Sequence, residues 1–187
     1  MNRRPDLDPR TLSSTGAPMS PGLVPLPRPL DATAWASLAG WVLATVTVGT
    51  AVGVAFAPDG WFAALAKPTW YPPSWVFAPA WLLLYALLGV SAWLVQRQPV
   101  ADPAEKRVAW LAFAVQAALN LAWSPVFFGL HAPGAAFAVI CGLWAAVLWT
   151  TMRFGRLRPL AGYLLAPYML WVSYALVLNG TVWLMNE

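Results

Sequence analysis

The sequence predicts an all-α membrane protein: a five-transmembrane-helix bundle behind a disordered, Pro- and Arg-rich N-terminal tail. Three observations predict it. The 187-residue chain is 60% hydrophobic and 10% charged, whereas soluble proteins average about a quarter charged residues. Its charges fall almost wholly between apolar runs. Those runs, residues 35–57, 75–95, 108–130, 133–152 and 160–185, each approach the roughly 20 residues with which a helix crosses a bilayer.

The tail comes first. Residues 1–33 hold seven prolines, four arginines and three aspartates, with no aromatic residue and no apolar run able to pack, a composition that stays disordered. No continuous apolar stretch of about 7 to 15 residues precedes Trp35, so no signal peptide is expected and the tail stays on the mature protein. Domain boundaries follow at 1–33 for the tail and 34–187 for the membrane domain.

Inside that domain each backbone polar group must find its partner within the segment. The runs lack the alternation of barrel strands, so helices are expected at 35–57, 75–95, 106–130, 133–152 and 159–185. Helix 1 carries Gly49-x-x-x-Gly53 and helix 3 carries Ala114, Ala118 and Ala122. Small residues at these spacings allow close helix approach, for folding or for dimerisation.

Turn residues separate the helices: Pro58-Asp59-Gly60, Gln98-Pro99, Asp102-Pro103, His131-Ala132-Pro133-Gly134 and Arg158-Pro159. The first connection is the longest. It contains Lys67-Pro68-Thr69-Trp70-Tyr71-Pro72-Pro73-Ser74-Trp75, continuing to Pro79 and Trp81. Proline fixes φ and lacks a donor, so this stretch is read as a stiff aromatic ledge at the start of helix 2.

Charge orients the bundle. Arg3, Arg4, Arg10 and Arg28 precede helix 1; Arg97, Lys106 and Arg107 join helices 2 and 3; Arg153, Arg156 and Arg158 join helices 4 and 5. Lys67 stands alone on the opposite side. The positive-inside rule then places the N-terminus in the cytoplasm and the ledge outside, in a bacterial cell membrane or, as the alternative, an outer membrane. The excess of 11 Lys and Arg over 7 Asp and Glu is accounted for by these loops, and no nucleic-acid partner is expected.

No Asp, Glu, Lys, Arg or His lies within the five apolar runs. Ion-driven pumps usually carry such residues as relays or coordination sites, so that class is disfavoured. The only His is the loop residue His131, read as solvated, and no metal site is expected. Ser91, Ser124 and Ser173 have no base on their helices and are read as bonding to backbone or neighbouring helices rather than as nucleophiles. Cys141 is read as a small buried hydrophobe.

What remains is aromatic: 13 Trp, 8 Phe and 5 Tyr. Trp35, Trp61, Trp93, Trp110 and Trp183 flank or end segments and suit an interfacial belt. Trp171 does not, falling near mid-segment four residues after Pro167. On helix 3, Gln116, Asn120 and Ser124 recur every four residues and share a face, serving as interhelical glue or as a ligand-facing stripe. Asn179 suits either use.

The ledge, Lys67-Pro68-x-Trp70-x-Pro72-Pro73 with Trp75, Pro79-x-Trp81 and Tyr85, resembles the signature of the TspO/MBR family of tryptophan-rich sensory and translocator proteins. The resemblance continues through Ala118-Leu119-Asn120-x-x-Trp123-Ser124-Pro125-x-Phe127-Phe128-Gly129, Leu165-x-Pro167-Tyr168-x-x-Trp171, and Leu178-Asn179 with Trp183. It implies five transmembrane helices, often a homodimer within membrane lipid, and a pocket near the first loop that binds porphyrin or haem as a ligand. No obligatory cofactor is implied. By motif position it makes Trp81 and Trp171 walls for a flat tetrapyrrole, Phe62 and Trp70 a lid, and Asn120 and Ala175 further lining. Lys67 supplies a cation at the mouth for the propionates.

Two departures from the family pattern stand out. The cholesterol-recognition pattern expected at the end of helix 5 lacks its Tyr and basic residue, since the chain reads Leu178-Asn179-Gly180-Thr181-Val182-Trp183-Leu184; such patterns are weak in any case. Phe62 stands where many members have Tyr. The resemblance points to a sensor, sequestering agent or translocator of tetrapyrroles that regulates tetrapyrrole metabolism or a stress response. The alternatives are a light-dependent porphyrin-degrading enzyme, with Trp81 and Trp171 as reactants, or a transporter of sterol- or lipid-type small molecules.

Overall fold

A computed structural model of the protein describes residues 31–99 and 102–187. The expected tail falls on residues 1–30, outside the described residues, apart from its last three positions. Among the described residues no strand occurs, and five helical spans are long and apolar enough to cross a membrane. The chain is a multi-pass membrane protein.

The elements are α1 (Ala32–Ala55), a short α2 (Gly60–Ala64), α3 (Phe77–Arg97), α4 (Pro103–Ser124), α5 (Pro133–Leu157), α6 (Pro159–Leu164) and α7 (Ala166–Met185). Several boundaries differ from the sequence reading, each for a local reason. Helix α1 begins at Ala32, inside the stretch read as tail. Asp102 caps α4 by accepting from the Ala104 N–H at 2.8 Å, and Pro103 needs no donor in the first turn, so the helix starts before its charged residues. Helix α5 runs on to Leu157, because Arg153 and Arg156 need not leave a helix to reach the membrane surface.

Two prolines reshape the long spans. Pro125 does not end α4; the chain widens into a π-helical turn, Pro125–Gly129, closed by the Leu130 N–H donating to the Pro125 carbonyl at 2.9 Å. Pro167 has no N–H for the carbonyl four residues back, and the fifth span is broken at Leu165 into α6 and α7.

Helix α5 is central. It packs on α4, α6 and α7, while α3 packs on α1 and α6. Lipid tails are as apolar as the core, so this association rests on close fit rather than on hydrophobic transfer. At the α5–α6 hairpin a Cβ on Gly162 would lie 2.8 Å from the Gly155 Cα, so only glycine permits that approach. Core residues such as Leu88, Val95, Leu143, Val147 and Phe154 form one buried apolar cluster. Helix α1 is peripheral, burying only Ala34 and Gly49.

Two sequence readings change here. Cys141 is exposed on the outer face of α5 rather than buried, since its neighbour Ile140 takes the inward position. Trp93, read as an interfacial belt residue, is 7% exposed, with the Arg97 guanidinium 5.2 Å from its ring centroid. Trp110 stacks on Trp41 with centroids 5.3 Å apart. Segment-end position does not reveal which way an indole turns.

Candidate functional site

At the end of the bundle bearing the first loop, α1, α3, α4 and α7 enclose a chamber of about 760 Å³. Its wall on α3 is Trp81, stacked on Tyr85 with centroids 5.3 Å apart and 25° between planes. A turn of α3 separates these rings, so they lie one above the other. The π turn that follows α4 adds Phe127 and Phe128 to the lining. Asn120, Ala175 and Asn179 complete the interior.

The first loop closes the top, and its conformation follows from its sequence. Asp59 accepts from the Phe62 N–H at 3.1 Å and so caps α2. Phe62 then drops onto Phe128 and Phe127, with centroids 5.2 and 5.9 Å away. Beyond α2, the Tyr71 N–H donates to the Pro68 carbonyl at 2.9 Å and the Val76 N–H to the Pro73 carbonyl at 3.0 Å, turning the ledge into α3.

Two distant residues hold this lid. Asn186 exchanges a pair of hydrogen bonds with the Ala66 backbone, accepting from its N–H at 2.9 Å and donating to its carbonyl at 3.0 Å. His131 sits 3.2 Å from the Asp59 carboxylate and stacks on Trp61 with centroids 4.3 Å apart. The histidine is exposed, as read from the sequence, and is also a contact of the lid. It adopts φ 50°, an uncommon conformation for a non-glycine residue. The Phe62 N–H chiefly holds the Asp59 carboxyl below its ordinary value; desolvation opposes it, and the hydrogen bond and charge of His131 each add a smaller lowering.

The residues singled out in the sequence divide. Phe62, Lys67, Trp81, Asn120 and Ala175 line the chamber. Trp171 and Trp70 are not among the lining residues. Trp171 lies behind Trp81, edge-on with centroids 6.4 Å apart, because Val172 and Ala175 take the inward face of α7. Trp70 is 44% exposed and packs edge-on against Tyr174. Lys67 is at the mouth, yet its ammonium donates to the carbonyls of Phe62, Leu65 and Ala63 at 2.6, 3.0 and 3.2 Å. An ammonium has three N–H groups, so all are spent on the loop.

The polar stripe of helix 3 also divides. Ser124 lines the chamber. Asn120 accepts from the Tyr85 hydroxyl at 3.0 Å and donates to the Tyr168 hydroxyl at 2.8 Å, and Tyr168 donates to Gln116 at 3.1 Å. These bonds tie α3, α4 and α7 together, so Gln116 serves as glue while Asn120 serves both uses. Asn179 accepts from the Trp123 indole at 2.9 Å and donates to the Pro133 carbonyl at 2.9 Å. Ser91 donates to the Ala161 carbonyl at 2.7 Å and Ser173 to Met169 at 2.8 Å, as backbone-bonding serines.

The sequence reading missed Asp59, His131 and Asn186 as lid contacts, along with Tyr71 and Phe77 in the lining. Asp59-Gly60 before an aromatic pair was a usable capping signal. Nothing local connects Asn186 with Ala66. Among the described residues, no group of three or more His, Cys, Asp or Glu gathers to hold a metal ion. The chamber's charged residues, Asp59 and Lys67, are both at its mouth.

Comparison with known proteins agrees with this architecture. The model of the TspO/MBR family matches residues 41–184. The chain is 42% identical to Protein CrtK of Rhodobacter capsulatus over 73% of its own length and 84% of that protein. It is 37% identical to the human translocator protein, over 82% and 92% respectively. It is 36% identical to the tryptophan-rich protein TspO of Chlorobaculum tepidum, over 74% and 92%.

Proposed function

This chain belongs to the TspO/MBR family, and we propose that it binds a tetrapyrrole in the lidded chamber, sensing, sequestering or moving it within the membrane. The observation that carries the reading is the chamber itself: about 760 Å³, walled by stacked Trp81 and Tyr85 and by Phe62, Phe127 and Phe128. Ligand pockets run from about 300 to 1,000 Å³ and are mostly apolar. A porphyrin offers a wide flat ring to stack on aromatics and anionic propionates that belong at the wet end. The Lys67 charge stands at that end, though its hydrogen bonds are committed to the loop.

The residues present fit the ring rather than a metal within it. Neither His131 nor Cys141 lines the chamber, so a haem would be held by its macrocycle, without an axial His or Cys ligand. In keeping with the loop charges, we place the N-terminus in the cytoplasm and the lid outside.

Titration of the purified protein with protoporphyrin IX, read by absorbance and by Trp quenching, tests this. Trp81→Ala is expected to weaken binding about tenfold or more, and Trp171→Phe, behind the wall, by much less. Unchanged affinity in Trp81→Ala would sink the assignment.

One observation favours a second, photochemical reading. From the chamber wall, Trp81, Trp171, Tyr174 and Trp70 follow one another with centroid separations of 6.4, 5.8 and 5.8 Å, ending at an exposed indole. Such a chain suits transfer of one electron from Trp81 to a photoexcited porphyrin, giving a porphyrin radical anion and a Trp81 radical cation whose hole passes outward to Trp70, where a one-electron reductant in solution fills it. Illumination of the complex should then yield a new absorbing product, absent without protein and diminished in Trp81→Phe.

A further inference from the structure

The chamber is held closed toward water. His131 pins the first loop at Asp59, Asn186 pins it at Ala66, and Phe62 rests on Phe127 and Phe128. Its lipid-facing side, between α1 and α3, is different. Away from the lid these two helices touch closely: a Cβ on Gly89 would lie 2.7 Å from the Thr45 hydroxyl and 2.8 Å from the Val42 Cα, and that hydroxyl donates to the Tyr85 carbonyl at 2.8 Å. One turn further along α1, Gly49 lies against the Tyr85 ring.

The contact ends there. Thr45 with Gly89 and Gly49 with Tyr85 define an antiparallel register that puts Gly53, one turn on, opposite Trp81 and Leu82. A Cβ on Gly53 meets nothing within 4 Å. Gly53, Val54, Ala78 and Leu82 all line the chamber, yet Val54 is 72% and Leu82 46% exposed. A side chain that borders the cavity and is also exposed on the outside of a membrane span stands on the rim of an opening. Beyond the Thr45 bond no hydrogen bond joins α1 to α3 among the described residues. The four rim residues are apolar, so the slit suits acyl chains and apolar rings rather than water. Gly53 is close to the end of α1 at Ala55, which places the slit in the leaflet on the lid side.

We propose that the chamber is loaded sideways: an amphiphile dissolved in that leaflet enters edge-on between α1 and α3 while the lid stays pinned. Resting on the reading of the chamber as a ligand site, this route adds the class of ligand admitted, one that partitions into lipid with its polar edge at the headgroups. A flat ring suits it, since the ring passes a narrow slit while its charged groups stay at the membrane surface. Widening the slit displaces only α1, which buries just Ala34 and Gly49. Opening the lid breaks the Asn186 pair and the His131 contacts.

The test uses the full chain in liposomes, with Ala175→Cys as a thiol inside the chamber and Cys141→Ser to remove the native one. N-(1-pyrenyl)maleimide approaches that thiol from lipid, and a charged methanethiosulfonate approaches it from water. Gly53→Leu, which plugs the slit, is expected to slow the pyrenyl reagent about tenfold while leaving the charged one unchanged. Leu82→Ala, which widens the slit, should speed the pyrenyl reagent. Asn186→Ala, which loosens the lid, should speed only the charged one. A pyrenyl rate indifferent to both slit variants, or raised by Asn186→Ala as much as the charged rate, would overturn the proposal. This readout needs no tetrapyrrole: a chain that fails to bind protoporphyrin IX loses the tetrapyrrole reading, while thiol labelling still decides the route. Where porphyrin binds, Gly53→Leu should slow its association and release alike with little change in Kd. A weakened Kd at an unchanged association rate would also count against the route, since the leucine would then act within the chamber.

Discussion

The side-chain amide of Asn186 and the backbone of Ala66, 120 residues apart, exchange two hydrogen bonds of 2.9 and 3.0 Å. The chain's penultimate residue thus grips the middle of the first loop, and the end of α7 is coupled to the lid of the chamber. Asn186 also donates to the Val182 carbonyl at 2.7 Å, which anchors the grip to the helix.

Asn186→Ala should therefore open the lid without unfolding the bundle. Two exposed hydrogen bonds, each contributing about 0.5 kcal/mol, the low end of the usual range, correspond to roughly a fivefold rise in local opening. Hydrogen exchange of the loop amides should accelerate by that factor while the amides of α5 stay protected. Unchanged exchange at Ala66 and its neighbours would refute the role.

The other lid contact makes the loop sensitive to acid. The folded Asp59 carboxyl is held below its ordinary value of 3.8. Its contribution to the closed lid is thus present above that value and lost as pH falls through the lower, folded one. Protection of the lid amides, corrected for intrinsic exchange, should drop in this acid range in the native chain. In Asp59→Asn the protection should be weaker at neutral pH and flat across the same range.

Two glycines on α1 make a paired test of packing. A Cβ at Gly49 would lie 2.2 Å from the Tyr85 ring, whereas one at Gly53 meets nothing within 4 Å. Gly49→Ala should cost about 1–3 kcal/mol through overpacking and disturb the Tyr85 bond to Asn120. Gly53→Ala should be neutral or stabilising by up to about 1 kcal/mol, from helix propensity. Thermal unfolding of both in one detergent decides it, and equal effects would contradict the packing described.

Tyr168→Phe tests the buried polar chain. It leaves the Asn120 amide and the Gln116 carbonyl oxygen without their shared partner, at a cost of about 1–3 kcal/mol. A lowered midpoint of thermal unfolding, with little change in helix content by circular dichroism, is the expected result.

Much of this molecule was legible in the chain. Five helices followed from run length, because a backbone in lipid has few ways to satisfy its polar groups. The ledge was readable as stiff, because proline acts locally, and Trp81 and Asn120 were readable as lining from motif position. Trp171 was not: its motif position is the same whether its indole faces the chamber or backs onto Trp81. Lys67 looked like a free cation because its acceptors are backbone carbonyls, which no residue pattern displays. His131 is solvated, as read, but its contacts with Asp59 and Trp61 were not legible because those residues lie in another loop.

By itself the sequence determined the spans, the turns between them and the aromatic, nearly charge-free character of the interior. These are properties of residues and their near neighbours, set by the solvation of backbone and side chains. The tertiary structure decided which aromatic faces became walls, how the lid is pinned by His131 and Asn186, and where α1 parts from α3. Such facts depend on helix rotation and on contacts between distant segments, and close packing selects among orientations that composition leaves equivalent.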